Sequence, residues 1–274
     1  MGTLDGQVAI VSGAGRGIGR AIALKLAASG AAVVVNDRDV EPADEVAHAI
    51  AQAGGRAVTC TGDVLGEGFA ERFVATAVDA FGGLDIIVNN AGYTWDSVIQ
   101  KTSDDQWEAM LGIHLTAPFR VLRAAQPVIS AAAKREAAEG GMRRRSVVNV
   151  SSIAGLGGNS GQAGYAAGKA GIVGLTRTLS KEWGRYNTTV NAIAFGVIST
   201  RLTASGAGDG SIDIDGRAIK VGMSAELLAA AESAIPLARA GTPEDAAGAV
   251  YLLCLPEAGY ISGEILICGG GYRL

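Results

Sequence analysis

Val8-Ala9-Ile10-Val11-Ser12-Gly13-Ala14-Gly15-Arg16-Gly17-Ile18-Gly19 is the stretch on which the fold turns. Its first four residues are a short apolar run that reads as a buried strand. From Arg16 to Ser29, Ile18, Ala21, Ile22 and Leu26 recur at helical spacing, and Gly30 closes the helix. The glycines lie between the two. A strand, a glycine-rich turn and a helix N-terminus in that order let backbone amides approach a pyrophosphate, whose charge the helix dipole favours. Glycines alone would signal little; their place between strand and helix makes the pattern specific for a dinucleotide.

Outward from this unit the same alternation repeats. Strands are expected at Ala32 to Asn36, Val58 to Thr61, Leu84 to Val88, Ser146 to Val150, Thr189 to Ala194 and Glu264 to Ile267. Helices are expected near Asp44 to Ala53, Glu67 to Phe81, Asp104 into the Ala131 region, Tyr165 to Tyr186 and Pro243 to Leu253. Continuous apolar strands alternating with helices predict an α/β fold with a parallel sheet covered on both faces. No composition break divides the 274 residues, so one domain over 1–274 is expected. Two segments interrupt the rhythm. Ala131 to Arg145, rich in alanine and charge, reads as a helix extension and a surface loop. Thr203 to Ser224, rich in glycine and aspartate, reads as a flexible substrate lid or a plain surface loop.

Composition excludes several functions. Hydrophobic residues are 49% of the chain, charged residues 18%, and the net charge is -4. That describes a globular chain without the basic patch of a nucleic-acid binder. Arg143, Arg144 and Arg145 form the one dense cationic run and read as a solvated segment. Three cysteines, Cys60, Cys254 and Cys268, are odd in number and widely spaced, which argues against a disulfide framework or a zinc site and for core positions in a reducing, cytoplasmic setting. Met1 to Gln7 lacks a leader pattern, and no apolar run approaches a membrane span.

Candidate site residues fall at the ends of the expected strands, where open α/β sheets bind ligands. Asp37 ends the second strand about twenty residues after the glycine loop; a carboxylate there accepts from ribose hydroxyls and repels a 2′-phosphate, favouring NAD. Arg16 and Arg38 pull toward NADP. Asp63-Val64 follows the third strand and Asn89-Asn90-Ala91-Gly92 the fourth, with Asn89 read as holding strand ends together. Tyr165 and Lys169 share one helical face. A tyrosine is a weak acid, with a reference pKa of about 10, and a neighbouring ammonium is expected to bring it down. Such a pair can pass a proton to or from a substrate oxygen. Ser151 or Ser152, at the end of the fifth strand, can hold that oxygen as it gains charge.

The ordered set of Ser12 to Gly19, Asn89 to Gly92, the paired serines, Tyr165 to Lys169 and Gly269-Gly270 resembles the short-chain dehydrogenases/reductases, over nearly the whole chain. Within that family the look is nearest to the 3-oxoacyl-[acyl-carrier-protein] reductases. The resemblance implies a Rossmann fold with seven parallel strands, a homotetramer or homodimer, and a substrate that is a small molecule or an acyl thioester; a steroid, sugar or terpenoid alcohol is the alternative. Family spacing selects Ser152, thirteen residues before the tyrosine, over Ser151. Family cofactor contacts carry over to Gly13, Arg16, Gly17, Ile18, Gly19, Asp37, Asp63, Val64, Asn90, Ala91, Gly92, Tyr165, Lys169, Ile198 and Thr200. Three departures stand out. His114, in Gly112-Ile113-His114-Leu115, occupies the place of the family's fourth catalytic residue, an asparagine that supports a proton relay to the lysine. An imidazole can donate and accept, so a relay through His114 is expected to carry its own titration; a purely structural hydrogen bond is the other reading. Phe195 stands where a proline usually precedes Gly196, and the Ala131 to Arg145 segment is longer than usual. His114 is also the one feature that invites a non-catalytic, cofactor-binding regulator.

Overall fold

The computed structural model describes residues 2–200, 211–214, 216–220, 222 and 224–272. Its strands, in chain order, are β1 (Val8–Val11), β2 (Ala32–Val35), β3 (Arg56–Thr59), β4 (Ile86–Asn89), β5 (Arg145–Ser152), β6 (Thr188–Phe195), β7 (Ser211–Ile214), β8 (Arg217–Lys220) and β9 (Ile265–Cys268). Its α-helices are α1 (Gly17–Ala28), α2 (Val40–Gln52), α3 (Phe69–Phe81), α4 (Asp104–Leu111), α5 (Ala117–Ala138), α6 (Ala154–Gly157), α7 (Ala163–Trp183), α8 (Ala225–Ala234) and α9 (Pro243–Cys254). Seven strands form one sheet in the order β3-β2-β1-β4-β5-β6-β9, every neighbouring pair parallel. The chain reverses direction across the sheet between β1 and β4, and the crevice at such a switch point is where a dinucleotide fits.

Both faces are buried, which is why the strands are apolar throughout. Ala9, Val11, Val33 and Val35 pack with Ile22 and Leu26 of α1 and Val250 and Leu253 of α9. Their alternates Val8, Ile10 and Val34 pack with Phe69 and Phe73 of α3 and Leu122 and Ile129 of α5. Side chains of period two thus feed two cores from one strand.

Several boundaries differ from the sequence reading. Helix α2 starts at Val40, four residues early, because Asp39 is its extended N-cap residue and Pro42 is tolerated within the first turn. Strand β3 runs two residues early, its Arg56 paired with Ala32. The long helix after β4 is three pieces: α4, a π-helical turn at Gly112–Thr116, and α5. Of the Thr203 to Ser224 segment, Thr203 to Gly210, Asp215, Val221 and Met223 lie outside the described residues, but β7 and β8 pair antiparallel, and α8 follows; neither has a clear periodic pattern. The arginine run is solvated at Arg143 only. Arg145 is buried and ion-paired to Glu136 at 2.5 Å, and Arg144 donates to the Leu253 and Cys254 carbonyls at the end of α9, both at 2.8 Å. Cys60 and Cys254 are buried, while Cys268 on the edge strand is only partly so. Among the described residues no helix is long and apolar enough to cross a membrane.

Candidate active site

The glycine loop is shaped by what it must approach. Gly13 and Gly17 have positive φ, 62° and 52°, which side-chain-bearing residues rarely adopt. A Cβ on Gly19 would sit 2.0 Å from the Gly13 carbonyl oxygen, so only glycine lets α1 start this close to the turn. Helix α1 has no side-chain cap and no acidic residue in its first turn. Its leading amides and Ile18, at N2, face a cradle without a protein anion, which fits a pyrophosphate. Asn90 braces the loop: its side-chain amide donates to the Ser12 and Gly13 carbonyls at 2.9 and 3.1 Å. The Ser12 hydroxyl in turn accepts from the backbone amides of Asn90 and Ala91. Asn89 bonds Asn149 at 2.8 Å inside the sheet, the strand-holding role expected of it.

The other nucleotide candidates gather on the same edge. Asp37 accepts from the Gly15 amide at 3.0 Å, directly beside the loop. Arg16 is drawn away from the loop: its guanidinium is 2.7 Å from Asp39 and 3.5 Å from Asp37. Asp63 is exposed, whereas the Val64 side chain enters the core, leaving its backbone as the part a cofactor could meet. Thr200 lies against Gly17, 3.8 Å from where a Cβ would be. Ile198 is buried and bridged to Gly241. Gly196 keeps its turn beside Gly269 despite Phe195: a Cβ on it would stand 2.9 Å from the Gly269 Cα.

The chemical end is built by α7 on β5. Gly164, Gly168 and Gly171 recur on one face of α7 and admit Met110, His114 and Leu115, so α4 and the π turn press against the helix that carries Tyr165 and Lys169. Lys169 is buried, and its ammonium nitrogen donates to the Val150 carbonyl at 2.7 Å. It also lies 5.7 Å from the Tyr165 ring centre. Ser152 is close enough to the Tyr165 hydroxyl to lower its pKa, while its own hydroxyl reaches the Phe195 carbonyl at 3.5 Å. Ser151 donates instead to the Lys169 carbonyl, away from the tyrosine. The structure thus brings Ser152, Tyr165 and Lys169 together and separates Ser151 from them.

The electrostatics differ from the expectation that lysine lowers the tyrosine. In the ligand-free chain, burial pushes the Tyr165 hydroxyl above its usual value; the nearby Ser152 pulls it back and the Asp96 carboxylate raises it further. Burial also brings Lys169 down to about 7, so the ammonium is not a fixed charge.

His114 is buried in the π turn, its ring 4.8 Å from that of Tyr165 and nearly perpendicular. Its Nε2 meets the Tyr93 carbonyl at 2.7 Å; a carbonyl only accepts, so Nε2 carries the hydrogen. Nδ1 is buried with no partner among the described residues. Burial and the nearby Lys169 hold the imidazole well below its usual pKa. The expected titration of His114 near 6.5 is therefore absent. A pH-rate profile should show no step that belongs to His114, and His114→Asn should leave the number of steps unchanged.

A parallel sheet with a glycine cradle at its switch point and a Ser-Tyr-Lys group beside it, its lysine buried, defines a class: dinucleotide-linked oxidoreductases. A family model described as Enoyl-(Acyl carrier protein) reductase matches residues 13–273. The chain is 36% identical to a 3-oxoacyl-[acyl-carrier-protein] reductase of Synechocystis sp., covering 99% of this chain and 98% of the relative. It is 38% identical to a hydroxyacyl-CoA dehydrogenase of Mycobacterium tuberculosis, covering 97% and 78%. A crystal structure of a dehydrogenase/reductase from Sinorhizobium meliloti superposes with a TM-score of 0.83 at 31% identity, covering 99% of this chain and 96% of that one. The chain belongs to the short-chain dehydrogenase/reductase family and is an oxidoreductase of that type.

Sequence reasoning pointed to Trp95, the Leu156 to Gly164 loop and the Thr203 to Ser224 segment as walls of the pocket but missed Asp96 among them. Asp96 and Gln162 are joined at 2.7 Å, and Arg217 stacks over Trp95 at 5.8 Å from a ribbon that no periodicity announced. Lone polar residues in loops carry no spacing that would single them out.

Proposed function

We propose that this enzyme interconverts a 3-hydroxyacyl and a 3-oxoacyl thioester, with NAD as its hydride partner. The observation that carries the chemistry is the Tyr165 hydroxyl, set beside Ser152 and backed by a buried Lys169 that is close to losing its proton. The thioester class is supported by the acyl-thioester names of the two relatives.

Gly13 to Gly19 and the first amides of α1 would hold the pyrophosphate, Asp37 the ribose hydroxyls, and Asp63 and the Val64 backbone the adenine side. When bound, the nicotinamide accepts or supplies the hydride at the substrate carbon. The protein handles the proton. In reduction, Tyr165 gives its hydroxyl proton to the carbonyl oxygen while Ser152 holds that oxygen by hydrogen bond. Lys169 then stabilises the tyrosinate by proximity and supplies the replacement proton. In oxidation the same proton returns to Tyr165.

The NAD preference rests on the Asp37 carboxylate beside the glycine loop and on Arg16 being engaged by Asp39 and Asp37. Relative kcat/KM is expected to favour NAD over NADP by at least about tenfold, and Asp37→Ser to narrow that gap. An NADP preference in the unaltered chain would refute this use of Asp37. Self-association is also proposed: Tyr260, Ile261, Leu266 and Ile267 leave an apolar surface at the β9 edge of the sheet, suited to a second copy. The function itself is tested by following reduced nicotinamide with 3-hydroxybutyryl-CoA against secondary alcohols of steroid and sugar type. Faster turnover of a steroid or sugar alcohol would replace the thioester reading.

A further inference from the structure

The rim of the site holds a carboxylate that the proton chemistry does not use. Asp96 lies in the loop after β4, and its Oδ2 accepts a 2.7 Å hydrogen bond from Nε2 of Gln162, the residue just before α7. Backbone contacts fasten the two segments: the Ser97 amide donates to the Gly161 carbonyl at 2.8 Å, and Ser97 and Gln162 form a parallel bridge. Asp96 is therefore held one helical turn ahead of Tyr165.

Its charge has no counter-ion. Among the described residues no ion pair to Asp96 occurs, and its carboxyl is raised by burial and lowered only by Gln162. The cation nearest this rim by its contacts, Arg217 over Trp95, is already paired with Asp105 at 3.3 Å. On the inner side Tyr165 faces Ser152, the neutral His114 and Lys169. Asp96, solvent-facing as a residue but partly desolvated at its carboxyl, acts on Tyr165 by charge from the rim.

We propose that Asp96 is a specificity-determining residue that rejects substrates bearing a free carboxylate two carbons from the reacting carbon and so reserves the site for acyl groups masked as thioesters. This rests on the thioester reading above. The argument is one of charge. A 3-hydroxy acid places a carboxylate two carbons from the atom that must meet Tyr165, and unpaired like charges at a partly desolvated rim repel. In the thioester the same carbonyl is neutral, and the carrier's phosphates lie a pantetheine arm away.

The test compares 3-hydroxybutyryl-CoA with free 3-hydroxybutyrate on the full chain with NAD. The unaltered enzyme should prefer the thioester. Asp96→Asn should shift the ratio of kcat/KM values toward the free acid by about tenfold. It should also move the Tyr165 limb of the pH-rate profile to lower pH, since the Asp96 charge raises that hydroxyl. Asp96→Glu, which keeps the charge, should restore both. Asp96→Ser serves if the asparagine variant folds poorly. An unaltered enzyme that uses free acid and thioester equally, or an Asp96→Asn variant with ratio and profile both unchanged, overturns the proposal. If no thioester is turned over, the substrate reading has failed instead, and the same charge test is then read on 2-butanol against 3-hydroxybutyrate.

Discussion

Tyr165→Phe is expected to lower kcat by about 10³-fold or more, with NAD affinity within a few-fold of the unaltered enzyme. Acid-base assistance contributes typically about 10²- to 10⁴-fold, and the upper part of that range applies when no other group can reach the substrate oxygen. Ser152 is in reach, but its hydroxyl is a far weaker acid. Lys169 is turned toward the Val150 carbonyl. The loss should therefore fall on the chemical step. The proposed cofactor contacts lie mainly along the glycine loop and Asp37, which the substitution does not touch, so titration of NAD by calorimetry or fluorescence should change little. A variant that keeps a tenth of its kcat would show that some other group moves the proton.

Lys169→Met carries a second effect on top of lost turnover, because the lysine strains the ligand-free fold. Burial holds Lys169 at about 7 in the folded chain against 10.5 as its ordinary value. Between those values the unfolded chain binds one more proton than the folded one, so stability rises with pH. The gain is about 1.4 kcal/mol per pH unit, and roughly 2 kcal/mol is available by pH 8.5. Above pH 9 the trend is opposed by Cys254, which burial raises from 9.0 to about 12 and whose proton the folded chain then retains. Thermal midpoints from pH 7 to 8.5 should climb by several degrees in the unaltered chain relative to Lys169→Met. Parallel curves for the two proteins would mean that Lys169 keeps its proton through this range. The same feature explains the trade: a lysine poised to exchange a proton with Tyr165 is one that the ligand-free core does not favour.

Much of the fold was legible because it is written in periodicity. Val8 to Val11 and Ala32 to Val35 are buried on both faces, so every residue is apolar and the strands stand out. The nucleotide loop was legible because Gly13, Gly17 and Gly19 are demanded by φ angles and close approach that no other residue satisfies. The π turn at Gly112–Thr116 was not, since its side chains continue an ordinary helical pattern and the extra residue is absorbed by packing against Gly164, Gly168 and Gly171. Arg144 and Arg145 misled in the opposite direction, while Arg143 is exposed as a cationic run predicts. A cationic run reads as solvated, but Glu136 and the carbonyl ends of α9 are brought to it only by the tertiary fold. In the site, Tyr165, Lys169 and Ser152 were visible as a spaced set. Their protonation was not, because the direction of each shift depends on burial and on Asp96, a residue with no spacing relation to them.

The central claim is that Tyr165 and Lys169 run a nicotinamide-linked oxidation and reduction of a hydroxyacyl thioester. The most direct measurement is single-turnover formation of reduced nicotinamide on mixing the NAD-loaded enzyme with 3-hydroxybutyryl-CoA, followed from pH 6 to 9. The account predicts one equivalent of reduced cofactor per site, at a rate that rises with pH and vanishes in Tyr165→Phe. Tight NAD binding with no reduced cofactor at any pH, or an equal rate in Tyr165→Phe, would contradict it.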